Sequence, residues 1–96
     1  MSAQTPTVFV VDDNPRVRQS VCALLTSAGL RSEAYASASA FLTAYDPSRP
    51  GCLVLDLRLR GEHGLELQDE LRRRKATLPI IVLTAHGTVP TSVRAL

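Results

Sequence analysis

Three short apolar runs punctuate this chain, and each ends on or against a residue that carries oxygen: "TVFVV" at 7–11, "CLVLD" at 52–56 and "LPIIVLT" at 78–84. Runs this short, without polar alternation, predict strands covered on both faces. The segments between them have the other periodicity. Asn14 can cap a helix, and Pro15 suits its first position, where a missing N–H costs nothing. Val17, Val21, Leu24, Leu25 and Ala28 then fall on one helical face, and Gly29 closes the helix. A weaker strand is expected at "RSEAYA", 31–36. A second helix, begun by Ser37 or Ser39, carries Phe41, Leu42 and Tyr45 until "DPSRPG" breaks it. "RLRGEHG" reads as a loop and "LELQDELRRRK" as a helix with Leu67 and Leu71 inward. "TVPTSVRAL" starts a further helix with Val89, Val93 and Leu96 on one face.

This alternation means an α/β fold, a parallel sheet with helices on both faces in one domain. The composition agrees: 96 residues, 45% hydrophobic and 21% charged, suit a packed core rather than a disordered chain. A net charge of +2 is too small to imply nucleic-acid or membrane binding by itself. No apolar run has membrane length and the polar start "MSAQTPT" is no signal peptide, so a soluble cytoplasmic domain is expected. Cys22 and Cys52 lack any CxxC spacing and are expected to be buried free thiols.

Function in such sheets collects at the carboxyl ends of strands, where the strand order reverses. Asp12 and Asp13 follow the first strand, Asp56 ends the third and Thr84 the fourth. Any one of these could be a turn or cap residue. Together they make a pocket of carboxylates that repel one another and lose hydration when enclosed. A cation resolves the repulsion, and all-oxygen ligation points to a hard one such as Mg²⁺. A carboxylate beside it can attack a phosphoryl group to give an aspartyl phosphate, with the Thr84 hydroxyl offered to a phosphoryl oxygen. An aspartate-nucleophile phosphatase would want a general acid two residues past its nucleophile. Arg58 stands there, and it cannot give up a proton. A nucleotide or flavin site would want N–H and hydroxyl donors where "DDNP" presents carboxylates, and no GxxxxGK occurs.

"VVDDNPRVR", "LVLDLRLRGEHGLEL" and "PIIVLTAHGTVPTSVRAL" resemble the receiver domain of two-component response regulators, the last two stretches most closely those of the FixJ type. The resemblance spans essentially the whole chain. It implies a flavodoxin-like three-layer sandwich, here with sheet order 2-1-3-4, and a histidine kinase as phosphoryl donor. It implies Asp56 as phosphoacceptor, and Mg²⁺ held directly by Asp13, largely through water by Asp12, and by Asp56 and the backbone carbonyl of Arg58. Thr84 becomes the residue that turns toward the phosphoryl group, and Ala85 the small neighbour that leaves it room. The domain is regulatory, not an enzyme, and acts on transcription through a DNA-binding output domain that residues 1–96 do not include.

Departures from the family pattern shape further expectations. Asn14 replaces a frequent third acid, and Arg60 replaces a loop proline. The family's lysine at the end of a fifth strand, and the aromatic switch residue on that strand, have no counterpart in this sequence. The receiver is therefore expected to be incomplete by a strand–helix unit of roughly 25 residues. The edge of 78–84 or the last helix would then invite self-association. A self-associating, non-signalling module is accordingly the rival function. "RRRK", 72–75, reads as a solvated helix end, and His63 and His86 as loop residues without a metal role. Tyr35, Phe41 and Tyr45 fit either the core or a partner-facing surface.

Overall fold

Thr7–Val11 forms strand β1, and its neighbours follow from the alternation: helix α1 Pro15–Ser27, β2 Arg31–Tyr35, α2 Ala38–Ala44, β3 Gly51–Asp56, α3 His63–Arg73 and β4 Ile80–Leu83. This computed structural model describes residues 5–56 and 63–83, of which 56 and 63–65 by their backbone alone. The four strands are parallel in the order β2-β1-β3-β4. Positions 58–62 of the expected loop over 58–64, the last helix with Val89, Val93 and Leu96, and His86 lie outside the described residues.

Register makes the core. Phe9 pairs with Leu53 and Leu53 with Ile80; two residues on, Val11 pairs with Leu55 and Leu55 with Val82. Strand side chains alternate between faces, so these two rungs present six apolar groups to one side. Phe41 of α2 and Leu67 and Leu71 of α3 close over them, all nearly fully buried. Phe41 is the centre of this layer, with the rings of Phe9, Tyr35 and Tyr45 at centroid distances of 5.6, 5.6 and 5.4 Å. The aromatics are therefore core residues. α1 packs on the opposite face against β1 and β2, completing the three layers.

Two glycines have defined tasks. α1 ends in a Schellman motif: the Leu30 N–H donates to the Leu25 carbonyl and the Gly29 N–H to Thr26, with Gly29 at φ +83°. Gly51 sits at φ +148°, where a Cβ would lie 1.9 Å from the Thr7 carbonyl oxygen, so only glycine lets β3 approach β1 there.

Several boundaries differ from expectation. β4 starts at Ile80, because Pro79 has no N–H for the ladder; its carbonyl instead accepts the Leu53 N–H at 2.9 Å. α3 starts at His63, inside the expected loop, and stops at Arg73. Ser37, not Ser39, caps α2, accepting the Ala40 N–H at 3.0 Å, and Tyr45 is the cap at its other end. The cysteines are free but only half-buried, and partial burial pushes the Cys52 thiol above its ordinary pKa. On α1, Leu24 is 69% exposed and Ala28 is exposed, while the half-buried face is Val17, Arg18, Val21, Cys22 and Leu25. The inner face is rotated from the apolar stripe by about half the ~100° between successive helical residues.

The basic run is a solvated helix end, as expected. Arg72 pairs with Asp69 at 3.1 Å, and Arg73 and Arg74 both reach Glu70. Lys75 lies past the helix at φ +56°. Its N–H donates to Arg72 and the Ala76 N–H to Leu71, the same motif that Gly29 serves in α1. A side chain in this left-handed conformation costs about 1 kcal/mol that glycine avoids. Lys75→Gly should therefore raise the stability by up to about 1 kcal/mol in urea unfolding; a loss would show that Lys75 contributes a contact beyond its backbone.

A second prediction comes from β2. Glu33 stands beside Phe9 on the core face and is met by Arg49 at 3.0 and 2.7 Å, while the Tyr35 hydroxyl donates to it at 2.9 Å. The same guanidinium lies 5.1 Å above the Phe9 ring and reaches the Thr7 hydroxyl at 3.3 Å. The Arg49 bond, aided by Tyr35, holds the Glu33 carboxyl below its ordinary range against the upward push of burial. A depressed carboxyl adds stability above its unfolded pKa and loses it as the pH falls through the folded value. The melting temperature of Glu33→Gln should lie below the parent's at about pH 7 and converge with it toward about pH 3. A gap that stays constant across that range would refute the charge pairing.

Candidate functional site

The chain leaves β1 for β2 on one side and then sets β3 on the other, so the strand order reverses between β1 and β3. Parallel sheets leave a crevice at the carboxyl ends of such a pair. Asp12 and Asp13 follow β1 directly. The register that pairs Val11 with Leu55 brings Asp56, the last residue of β3, level with Asp12, while Asp56 itself pairs with Leu83 of β4. Sequence positions more than forty residues apart thus meet at one sheet edge.

Asp12 is 3% exposed, and a carboxylate can be buried so deeply only with partners. Its Oδ1 accepts the Asn14 N–H at 2.9 Å, and its own N–H donates to the Tyr35 carbonyl at 3.1 Å. Its carbonyl oxygen accepts Nη1 of Arg18 at 2.8 Å. Asn14 meanwhile caps α1, its Oδ1 accepting the Arg16 N–H at 2.9 Å, with Pro15 next to it as expected. The Asx turn at Asp12 and the cap at Asn14 therefore overlap, folding "DDNP" into a tight bend that leaves Asp13 exposed.

The donor set fits a hard divalent cation. Two adjacent carboxylates, one buried and one exposed, are oxygen donors of the kind Mg²⁺ takes, and the register brings the backbone of Asp56 level with the first of them. Arg58, Thr84 and Ala85, and Arg60 in the loop, lie outside the described residues. Arg18 is the site residue that the sequence reading passed over. Its signal was there, a cation placed among Val17, Val21 and Leu25 on the inner face of α1, where a charge has to find a partner.

Comparison with known proteins agrees with this geometry. The chain is 47% identical over 89 residues to the transcriptional regulatory protein FixJ of Azorhizobium caulinodans, an alignment covering 93% of this chain and 42% of that protein. It is 45% identical to nodulation protein W of Bradyrhizobium diazoefficiens, covering 93% of this chain and 39% of that one. It thus spans about two fifths of these curated relatives. Among solved structures, the response regulator StyR superposes with a TM-score of 0.81 at 48% identity, covering 95% of this chain and 46% of that one. The crystal structure of FixJ-N gives 0.80 at 42% identity, covering 92% and 70%. The family profile described as response regulator receiver domain matches residues 8–96, and the chain belongs to that family.

Proposed function

We propose that this chain is a phosphoacceptor module in which Asp56 takes a phosphoryl group from a histidine kinase in a Mg²⁺-dependent reaction. The observation that carries this reading is the register placing Asp56 level with the buried Asp12 at the switch point. An Asp56 carboxylate oxygen attacks phosphorus, the P–N bond to the kinase's phosphohistidine breaks, and the imidazole leaves with the electron pair and takes up a proton. The product is an acyl phosphate on Asp56. Asp13, Asp12, Asp56 and the Arg58 carbonyl would hold Mg²⁺, which supplies neutralisation of the charge on the transferring group. The Thr84 hydroxyl then donates to a phosphoryl oxygen, with Ala85 leaving it room.

On this reading the module works in the cytoplasm and governs transcription; its relative in Azorhizobium caulinodans is a transcriptional regulatory protein. No helix among the described residues is long and apolar enough to cross a membrane. The rival, a module that associates with itself through the outer edge of β4 and does not signal, draws no support from the family match. Mg²⁺-dependent binding of beryllofluoride, a phosphoryl mimic, separates the two: binding favours signalling.

Asp56 should be the only residue to gain a phosphoryl group from a small-molecule phosphodonor in Mg²⁺. Intact-mass measurement should show one such gain for the parent chain and none for Asp56→Asn; an equal gain in the variant sinks the assignment. Mg²⁺ at a hundredfold its dissociation constant should also stabilise the parent by about 2.7 kcal/mol. Asp13→Asn should lose most of that increment in thermal unfolding, and a full increment there would remove Asp13 from the metal site.

A further inference from the structure

Helix α1 reaches back to the acidic loop through one side chain. Arg18 is the fourth residue of the helix, within about its first turn, on its half-buried face, and its Nη1 donates to the Asp12 carbonyl at 2.8 Å. That carbonyl is the first of β1 beyond the paired register with β2 and β3, so the ladder gives it no continuation. It also belongs to the peptide unit joining Asp12 to Asp13. A peptide is planar, so fixing its oxygen fixes the direction of the Asp13 N–H and the placement of the Asp13 Cα.

The other polar groups of Asp12 are tied down as well, its N–H to Tyr35 of β2 and its Oδ1 to the Asn14 N–H. Arg18 supplies a third anchor, and this one acts on the peptide that leads into Asp13. A guanidinium bond to a carbonyl is charge-assisted, and so stronger than a bond between neutral groups. We propose that Arg18 is a positioning residue for the acidic pocket: by holding the Asp12–Asp13 peptide, it sets the Asp13 carboxylate in the orientation that captures the divalent cation. This rests on the phosphoacceptor reading above and assigns to α1 a part in metal capture.

The sign of the effect separates positioning from charge. A guanidinium near a cation site opposes the cation by Coulomb repulsion, so if charge were its only action, removing Arg18 would tighten Mg²⁺ binding. If it positions Asp13, removal weakens binding, and loss of an outer support of a metal ligand typically costs at least about tenfold in affinity.

The test is calorimetric titration of Mg²⁺ at fixed ionic strength, well below the melting temperature of each variant, with amide hydrogen exchange at Asp13 in the metal-free chain as a second readout. Arg18→Met should raise the Mg²⁺ dissociation constant about tenfold and speed Asp13 exchange. Arg18→Lys, which keeps the charge but not the fork, should fall between Arg18→Met and the parent. A merely structural arginine would lower the melting temperature and leave the dissociation constant where it was. An unchanged or smaller dissociation constant in Arg18→Met overturns the proposal while the phosphoacceptor reading stands. If Arg18→Met does not fold, Arg18→Lys decides, and a value equal to the parent's overturns it. A parent chain that binds no Mg²⁺ overturns both, which makes the two failures distinguishable.

Discussion

The pairing of β1 with β3 is the contact on which both the core and the site depend. It is pinned at the start of the strands, where the Thr7 N–H donates to the Pro50 carbonyl at 3.1 Å and Gly51 passes so close to Thr7 that no Cβ could fit. Four residues later the same register sets Val11 against Leu55, and the next step brings Asp12 level with Asp56. A slip of one residue would turn Phe9 and Val11 against the wrong partners, and in a strand it exchanges the faces of every side chain. The slip would also part the carboxylates. Core packing and site geometry are thus enforced by one constraint, and the packing energy of Phe41, Leu53, Leu55 and Leu67 also holds the acidic residues together.

Glu33 and Asp12 are carboxylates held by the sheet, and their described partners differ in kind. Glu33 lies on the core face of β2 and is met by an opposite charge, a tyrosine hydroxyl and an aromatic ring beneath the guanidinium. That carboxylate is answered in full within the protein, and its pKa falls accordingly. Asp12 is more deeply buried, yet its described partners are backbone groups and the helix that follows. Backbone N–H groups can hold a carboxylate without consuming its charge. The first arrangement is a closed pair of opposite charges; in the second, a backbone N–H holds the carboxylate within the turn.

How much of this the sequence disclosed depended on whether a feature was local. β1, the Asn14 cap, Pro15 at the first turn and Gly29 past the helix end are consequences of neighbouring residues, and all were legible. The parallel sheet and the meeting of Asp12 with Asp56 at one sheet edge followed from a rule about parallel sheets, because the apolar runs were unmistakable; the strand order came with the family resemblance. Details set by tertiary contacts were not. Pro79 delayed the start of β4, and α3 reached back to His63, since where a ladder or helix begins depends on what its neighbours present. The inner face of α1 turned away from Leu24 and toward Arg18, because a hydrophobic stripe counts apolar residues and overlooks a cation with a carbonyl waiting for it.

That rotation bears on why the chain sets two aspartates side by side. Read from sequence, the pair needs a metal to relieve its repulsion. The geometry adds that the pair is already built into a scaffold before any cation arrives. Asn14 closes the turn, Tyr35 receives the Asp12 N–H, and Arg18 grips the peptide between the two carboxylates. Two of these three come from outside the loop, Arg18 from the helix that follows it and Tyr35 from the neighbouring strand β2. Preorganisation of this kind lowers the ordering needed when a ligand binds, and here it comes from α1 and β2 as well as from the loop itself. The acidic pair is the visible half of the site. The other half is an arginine whose role can be seen only once the helix is placed against the sheet.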